Sequence, residues 1–286
     1  MSTSADHNPI KRVIAVAAML ALLTVVALLY ACTSDQTAEL ESPEEVAALP
    51  PLVAEEIHRD LGYPLDSVAT NKAVPGLFID SLDLNLNRIR NVEDKKTTFF
   101  RIMLPHVARE NDRIRAERAK IEDAPNDVPA SLYEKYDVEP GDVKELLRRV
   151  DVIPASLVLA QAALESGWGT SRFARKGNNF FGMRTYNEDV KGLDPKEAEG
   201  FKVIKFKNIG ASVRSYMKNL NTHDAYKSFR QHRVDQRAAG GTPKGRGLTN
   251  YLTAYSEIPE KYGARLRGMM DRNNLDRFDG VRVADN

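Results

Sequence analysis

The sequence predicts an α+β fold that is predominantly α. Three observations predict it. Apolar residues recur at helical spacing through most of the chain after residue 90. Residues 155–164 are apolar on almost every side, which predicts a helix enclosed by other elements. Strand-like patterning is confined to residues 180–206, which leaves room for one small sheet beside the helices.

At 286 residues the chain can build one large domain or two small ones. Its formal charge of +1 gives no polybasic character, so nucleic acid is not an expected partner. Five His, one Cys and no His-Glu-x-x-His pattern make a metal site or a disulfide framework unexpected.

The first element is not globular. Lys11 and Arg12 precede residues 13–31, an apolar run interrupted only by Thr24 and Tyr30. As a helix that run is about 28 Å long, close to the bilayer core. The basic pair stays cytoplasmic, so the remaining chain is expected outside the membrane. The single cysteine, Cys32, follows Leu29-Tyr30-Ala31, which resembles the lipobox of bacterial lipoprotein signal peptides. Residues 1–31 read either as a signal peptide removed before Cys32 is lipidated or as an uncleaved membrane anchor, and the cysteine's position favours the lipoprotein.

Residues 33–51 are acidic and low in aromatics, which reads as a linker. Residues 74–79 form a short extended segment. Residues 93–122 are helical, with Phe99, Phe100, Met103, Leu104 and Val107 on one side; Pro105 is expected to kink or divide this helix. Its densely charged second half reads as a solvated face. A turn-rich boundary at 123–129 precedes short helices at 131–136 and 140–150. Pro154 then suits the first turn of the buried helix, which Glu165 and Ser166 end where Gly167 and Gly169 supply breaking geometry.

Residues 180–183 and 201–206 read as strands of a small β lobe. Asn208 caps a helix reaching about Leu220, 240–247 read as a flexible basic loop, and a last amphipathic helix follows Pro259.

Glu165 is the residue with chemical consequence. A carboxyl group at a helix C-terminus faces the negative end of the dipole, and here it adjoins the apolar Trp168. Both effects favour the neutral acid and raise the pKa. A protonated carboxylic acid is what glycosidic cleavage requires, since it donates to the leaving oxygen. Taken alone, Glu165 also fits a surface residue at a frayed helix end.

The flanking residues carry more. Ala162-Ala-Leu-Glu-Ser-Gly-Trp-Gly-Thr-Ser171 followed by Asn178-Asn-Phe-Phe-Gly182 resembles the signature of the N-acetylglucosaminidases of glycoside hydrolase family 73. Residues 74–121 and Asn219-Leu-Asn-Thr-His-Asp-Ala-Tyr226 also resemble the Bax-type members of that family. The resemblance implies peptidoglycan glycan strands as substrate, no cofactor, and a lysozyme-like domain at 150–276 with a small β lobe. Around it stand a linker at 32–70, a helical extension at 71–149 and a tail at 277–286. The N-terminal segment and Cys32 place the protein in the cell envelope, facing the periplasm and tethered to the membrane; protein partners are unspecified.

By position, Glu165 matches the family's general acid, and Trp168, Asn178, Asn179, Phe180 and Gly182 match its cleft-lining motif. Packing for Trp168 and Phe180, and turn formation for the Asn pair, fit the same residues. Family members place a second acidic residue in the β lobe. The candidates are Glu188, Asp189, Asp194, Glu197 and Glu199, with Glu199 favoured at 34 positions after Glu165. Tyr255-Ser-Glu-Ile-Pro-Glu-Lys-Tyr262 resembles the family pattern Tyr-Ala-Thr-Asp-x-x-Tyr, which makes Tyr255 the tyrosine bordering the acid. Tyr262 becomes a second aromatic that packs its helix or meets substrate.

Two other activities share the fold. A lytic transglycosylase also carries a Glu-Ser pair, but its usual Gly-Leu-Met-Gln continuation is absent here. An inactive glycan-binding scaffold would keep the fold without the chemistry.

Overall fold

The computed structural model describes residues 61–81, 86–195, 200–255 and 259–285. The apolar segment at 13–31, the lipobox cysteine Cys32, and Glu197 and Glu199 in the β lobe lie outside the described residues. Among the described residues, no helix is long and apolar enough to cross a membrane.

The chain enters with helix α1 (Leu65–Asn71) and strand β1 (Ala73–Val74). The long helix α2 (Val92–Asp123) follows, its first turn capped by the Asn91 side chain, which accepts from the backbone N–H of Glu93 and Asp94. Pro105 does not divide it. Proline removes one N–H and would orphan the carbonyl four residues earlier, that of Arg101. The Tyr63 hydroxyl donates to that carbonyl at 2.6 Å and takes the missing partner's place.

The charged half of α2 is not simply a solvated face. Glu117 accepts from Lys135 and Tyr136, Arg118 donates to the carbonyls of Leu147 and Val150, and Glu110 pairs with Arg214.

Short helices α3 (Ala130–Lys135) and α4 (Val143–Arg149) lead into α5 (Ala155–Ser166), nearly all of whose residues are buried. After α5 come α6 (Arg172–Gly177), strands β2 (Arg184–Thr185), β3 (Gly192–Leu193) and β4 (Lys202–Ile204), and α7 (Ile209–Thr222). The remainder is α8 (Lys227–Ala238), α9 (Gly245–Leu248), α10 (Pro259–Asn273), a 3-10 turn at Leu275–Phe278, and β5 (Arg282–Val283). The molecule is therefore α+β and predominantly α.

The small sheet is antiparallel with order β2-β4-β3, Val203 of β4 pairing with Arg184 on one side and Leu193 on the other. Its first strand starts later than the apolar pattern suggests. Residues 180–183 form a turn instead of a strand, because Asn179 fixes it through its own side chain: Oδ1 accepts from Met183 N at 3.0 Å while Nδ2 donates to Met183 O at 2.8 Å and Ile204 O at 2.9 Å.

A second, two-stranded sheet pairs β1 with β5 in parallel. The residues expected as the end of a linker and as a tail thus belong to the fold. Leu61, Leu65, Phe278 and Val281 share one hydrophobic cluster with α2, α5, α7 and α10. Part of the expected flexible loop is helical too: α9 docks against the start of α5, where Gly245 approaches so closely that a Cβ would lie within 3.0 Å of Leu157 N.

Two polar anchors set α5. Pro154 offers no side-chain cap, and Asp279 supplies one from the far end of the chain, accepting from Ser156 N at 2.9 Å and Ser156 Oγ at 3.1 Å. Just before the helix, buried Asp151 accepts from Arg237 Nε at 2.6 Å and Nη2 at 2.5 Å and lies 3.5 Å from the fully buried Arg233. Arg233 in turn donates to the carbonyls of Arg148, Asp151 and Val152 and to Asn221 Oδ1.

Candidate active site

The site begins at the C-terminal end of α5. Gly167, Trp168 and Gly169 adopt φ of 56°, 60° and 74°, three consecutive left-handed residues that turn the chain back on the helix. Two of these cost a glycine little, whereas Trp168 is a bulky residue in a region such residues rarely enter. Ser166 holds the turn: its hydroxyl donates to Ala162 O at 2.6 Å and accepts from Gly169 N at 2.8 Å. Trp168 N and Ser171 N donate to the carbonyls of Ala163 and Ser166. Ser171 then caps α6 through Ala174 N at 3.1 Å.

This sharp reversal leaves Glu165 exposed on the last turn, with its carboxyl between two elements. Oε1 accepts from the Tyr262 hydroxyl of α10 at 2.8 Å. Oε2 faces Gly182, where a Cβ would stand 4.0 Å away, so the Asn-Asn-Phe-Phe-Gly motif does meet the acid, through its glycine.

The Glu165 carboxyl is held above the ordinary carboxylate range. Protein packed around it withdraws water from the charged form, and this outweighs the Tyr262 hydrogen bond and the positive charges of Arg265 and Arg184. The direction matches the expectation from sequence; the cause is desolvation at the meeting of α5 with its neighbours. Trp168 is half-buried, its indole edge-on to Phe99 at 5.7 Å and Phe100 at 5.5 Å, with the Lys96 ammonium 5.7 Å from its ring centroid.

Several expected contact residues prove to be internal. Phe180 is fully buried and tilts against Phe99, and Asn179 is buried in the turn it fixes, so neither presents a group to solvent. Asn178 closes α6 in the left-handed conformation at φ 49° and donates to Phe206 O at 3.2 Å. Their effect on the acid is to carry Gly182 and the start of the β lobe to it.

The two tyrosines exchange the places expected of them. Tyr262, read as the second aromatic, bonds Glu165 directly. Tyr255, read as bordering the acid, makes no hydrogen bond to it and stacks on Tyr262 with centroids 5.8 Å apart and planes 1° from parallel. Tyr226 and Tyr216 extend this cluster, each 6.3 Å from Tyr255.

Gln161 is a residue the sequence reading passed over. It stands four positions before Glu165, hence on the same helix face, and is one of very few polar side chains in an apolar helix. That combination was the available signal. Its Nε2 donates to the Tyr262 oxygen at 3.0 Å, and its Oε1 accepts from Tyr216. Arg184 and Arg265 also went unread, since nothing local marks which arginines tertiary packing brings to one carboxylate.

Of the candidates for a second carboxylate, Glu188, Asp189 and Asp194 are exposed in the β lobe, and no hydrogen bond or ion pair among the described residues joins them to Glu165. Among the described residues no group of His, Cys, Asp and Glu is arranged to hold a metal ion. One protonatable carboxyl, with a donor on one oxygen and an open second oxygen, is equipped to deliver a proton to a bound leaving group.

Comparison with known proteins bears on that chemistry. Residues 141–275 match the glucosaminidase family described as mannosyl-glycoprotein endo-beta-N-acetylglucosaminidase. The chain is 33% identical over 194 residues to Protein bax of Escherichia coli (strain K12), covering 63% of this chain and 70% of that protein. It is 27% identical over 158 residues to the exo-glucosaminidase LytG of Bacillus subtilis (strain 168), covering 52% of this chain and 49% of that one. An autolysin of Enterococcus faecalis (strain ATCC 700802 / V583) is 30% identical over 132 residues, 44% of this chain and 18% of its own. Among solved structures, the catalytic domain of the autolysin Auto from Listeria monocytogenes aligns with a TM-score of 0.32 at 20% identity, covering 58% of this chain and 87% of that one.

Proposed function

The chain belongs to the glucosaminidase family, and from that premise we propose that it hydrolyses the β-1,4 bond between N-acetylglucosamine and N-acetylmuramic acid in peptidoglycan, with Glu165 as general acid. The observation that carries this reading is the state of Glu165: a carboxyl raised above its ordinary range, anchored through Oε1 by Tyr262 and open at Oε2. The names of two relatives, an exo-glucosaminidase and an autolysin, support a wall polymer as substrate.

Glu199 is our candidate for the second carboxylate. Acting as base on a water, it would stand well apart from Glu165 and invert the anomer. Without it, the substrate's own acetamido group supplies the assistance. Lipidation of Cys32 after removal of residues 1–31 is the proposed tether to the membrane, facing the enzyme toward the wall from the periplasmic side; the alternative is an uncleaved anchor at 13–31.

Mass spectrometry of wall digested by the wild type and by Glu165→Gln tests the assignment. We expect reducing N-acetylglucosamine ends, and a loss in the variant of about 10²- to 10⁴-fold. A 1,6-anhydromuramic product would sink the hydrolase reading, and undiminished turnover by the variant would remove Glu165 from the chemistry. The pH profile has a defined sense. The acid works while protonated, so activity falls as pH rises through the elevated Glu165 pKa.

A further inference from the structure

Behind Glu165 runs a chain of hydrogen bonds with a fixed direction. It starts at Tyr216 of α7, fully buried and stacked on Phe181 with planes 7° apart. Its hydroxyl donates to Gln161 Oε1. An amide has one accepting end and one donating end, so with Oε1 taken, Nε2 turns to Tyr262 and donates to its oxygen at 3.0 Å. The Tyr262 hydroxyl has a single proton, which it places on Glu165 Oε1 at 2.8 Å.

Reversal would require Gln161 to turn over. Its –NH₂ would then face the Tyr216 hydroxyl, leaving a buried O–H without the acceptor it now has, an arrangement proteins avoid. Burial keeps the Tyr216 phenol far above its ordinary pKa, so this anchor does not lose its proton.

We infer that Tyr216 and Gln161 are positioning residues which fix the Tyr262–Glu165 hydrogen bond in one direction and thereby keep the transferable proton of Glu165 on Oε2. The inference rests on the reading of Glu165 as the acid. With a donor on Oε1, a neutral Glu165 carries its hydrogen on the other oxygen. Oε2 is the one that faces Gly182, where a Cβ would stand 4.0 Å away. The buried chain selects which oxygen is acidic, and that oxygen is the one turned toward Gly182.

The groups facing Glu165 are Tyr262 and Arg265 from α10, Arg184 from β2, and, through space, Tyr216 of α7 and Tyr255. Burial keeps the three phenols neutral, their pKa values raised, so Glu165 is the carboxyl whose titration reports on the chain.

The test uses Gln161→Met and Tyr216→Phe, two near-isosteric changes that break the chain at different links. The full chain is labelled with ¹³C at glutamate carboxyls, the Glu165 titration is followed by NMR, and kcat and KM are measured against pH on a soluble glycan fragment. In Gln161→Met the Tyr262 oxygen is freed to accept, so a neutral Glu165 can settle its proton on Oε1. We expect its titration to move upward and kcat to fall about tenfold with KM unchanged. Tyr216→Phe should move both in the same direction by less, and stands alone if the first variant does not fold. Wild-type titration and pH–rate profiles in the variants, whatever their melting temperatures, would reduce the chain to packing and overturn the inference. Glu165→Gln is assayed alongside: wild-type turnover there sinks the acid assignment, whereas the NMR titration judges the chain without reference to activity.

Discussion

Ser166 follows Glu165 in sequence, yet its hydroxyl belongs to the backbone, bridging Ala162 O and Gly169 N beneath a run of three left-handed residues. Replacing it by alanine strands a buried N–H at the turn that projects the acid. Ser166→Ala should lose about 1–3 kcal/mol in urea denaturation, with Glu165 intact. The place of Glu165 at a helix end was legible from sequence because the glycines that stop the helix are local facts, whereas its expected role came from the resemblance of the flanking motifs to a family. Its partner was not: Tyr255 and Tyr262 sit in one short segment, and which of them reaches the acid depends on how α10 packs on α5. Periodicity says nothing of that. Asn179 and Phe180 show the same limit, since a side chain that fixes a turn and one that binds a sugar share composition and spacing.

At the scale of elements, α5 is held at both ends. Before its start, Asp151 gathers Arg237 and Arg233, with Arg118 of α2 at 4.0 Å. Burial alone would push the Asp151 carboxyl up, but the hydrogen bonds from Arg237 and the charges of Arg233, Arg237 and Arg118 together hold it below the usual range. A depressed folded-state pKa gives stability that is present above the unfolded value and lost as pH falls through the folded one. Asp151→Ala should therefore cost about 3–5 kcal/mol at neutral pH, since it leaves buried Arg233 without its counter-charge. The gap between variant and wild type should close on acidification, measured by urea melts across that window.

Helices α2, α5, α7 and α10 were readable, as was the Asn208 cap, where the side chain accepts from Ala211 N, whereas α1, α6 and α8 were not. The polar cross-links between helices were not readable either. A charged stripe on α2 looks the same whether it meets water or the arginines and carbonyls of neighbouring helices, and Pro105 looks like a breaker until Tyr63 is seen to replace the lost donor.

For the whole molecule, composition divides the chain more finely than its packing does. The expected boundaries, a linker reaching residue 70 and a tail from 277, cut off residues at both ends that supply core. Phe278 is fully buried, Val281 nearly so, Asp279 caps α5, and β5 pairs with β1. Deleting residues 277–286 removes all of these together. Loss of the Phe278 side chain alone is worth about 3–5 kcal/mol, a large share of the stability of an ordinary domain. The truncated protein should lose its cooperative thermal transition in calorimetry; a transition near the wild-type temperature would show that the C-terminal strand is dispensable. The α+β class was legible because it rests on local pattern, and the pairing of motifs around Glu165 because together they resemble a family signature. Closure of the two-stranded sheet was not, because its partners are about two hundred residues apart.

That closure also imposes a schedule. A ribosome makes Ala73 long before Arg282, so β1 waits for its partner, and the helix bearing Glu165 waits for the carboxylate of Asp279, until the chain has grown past residue 283. The setting of Glu165 is the product of residues 279–283 as much as of its own helix. A glycoside hydrolase arranged in this way has its active-site helix fully anchored only after a strand about two hundred residues from its partner has been made.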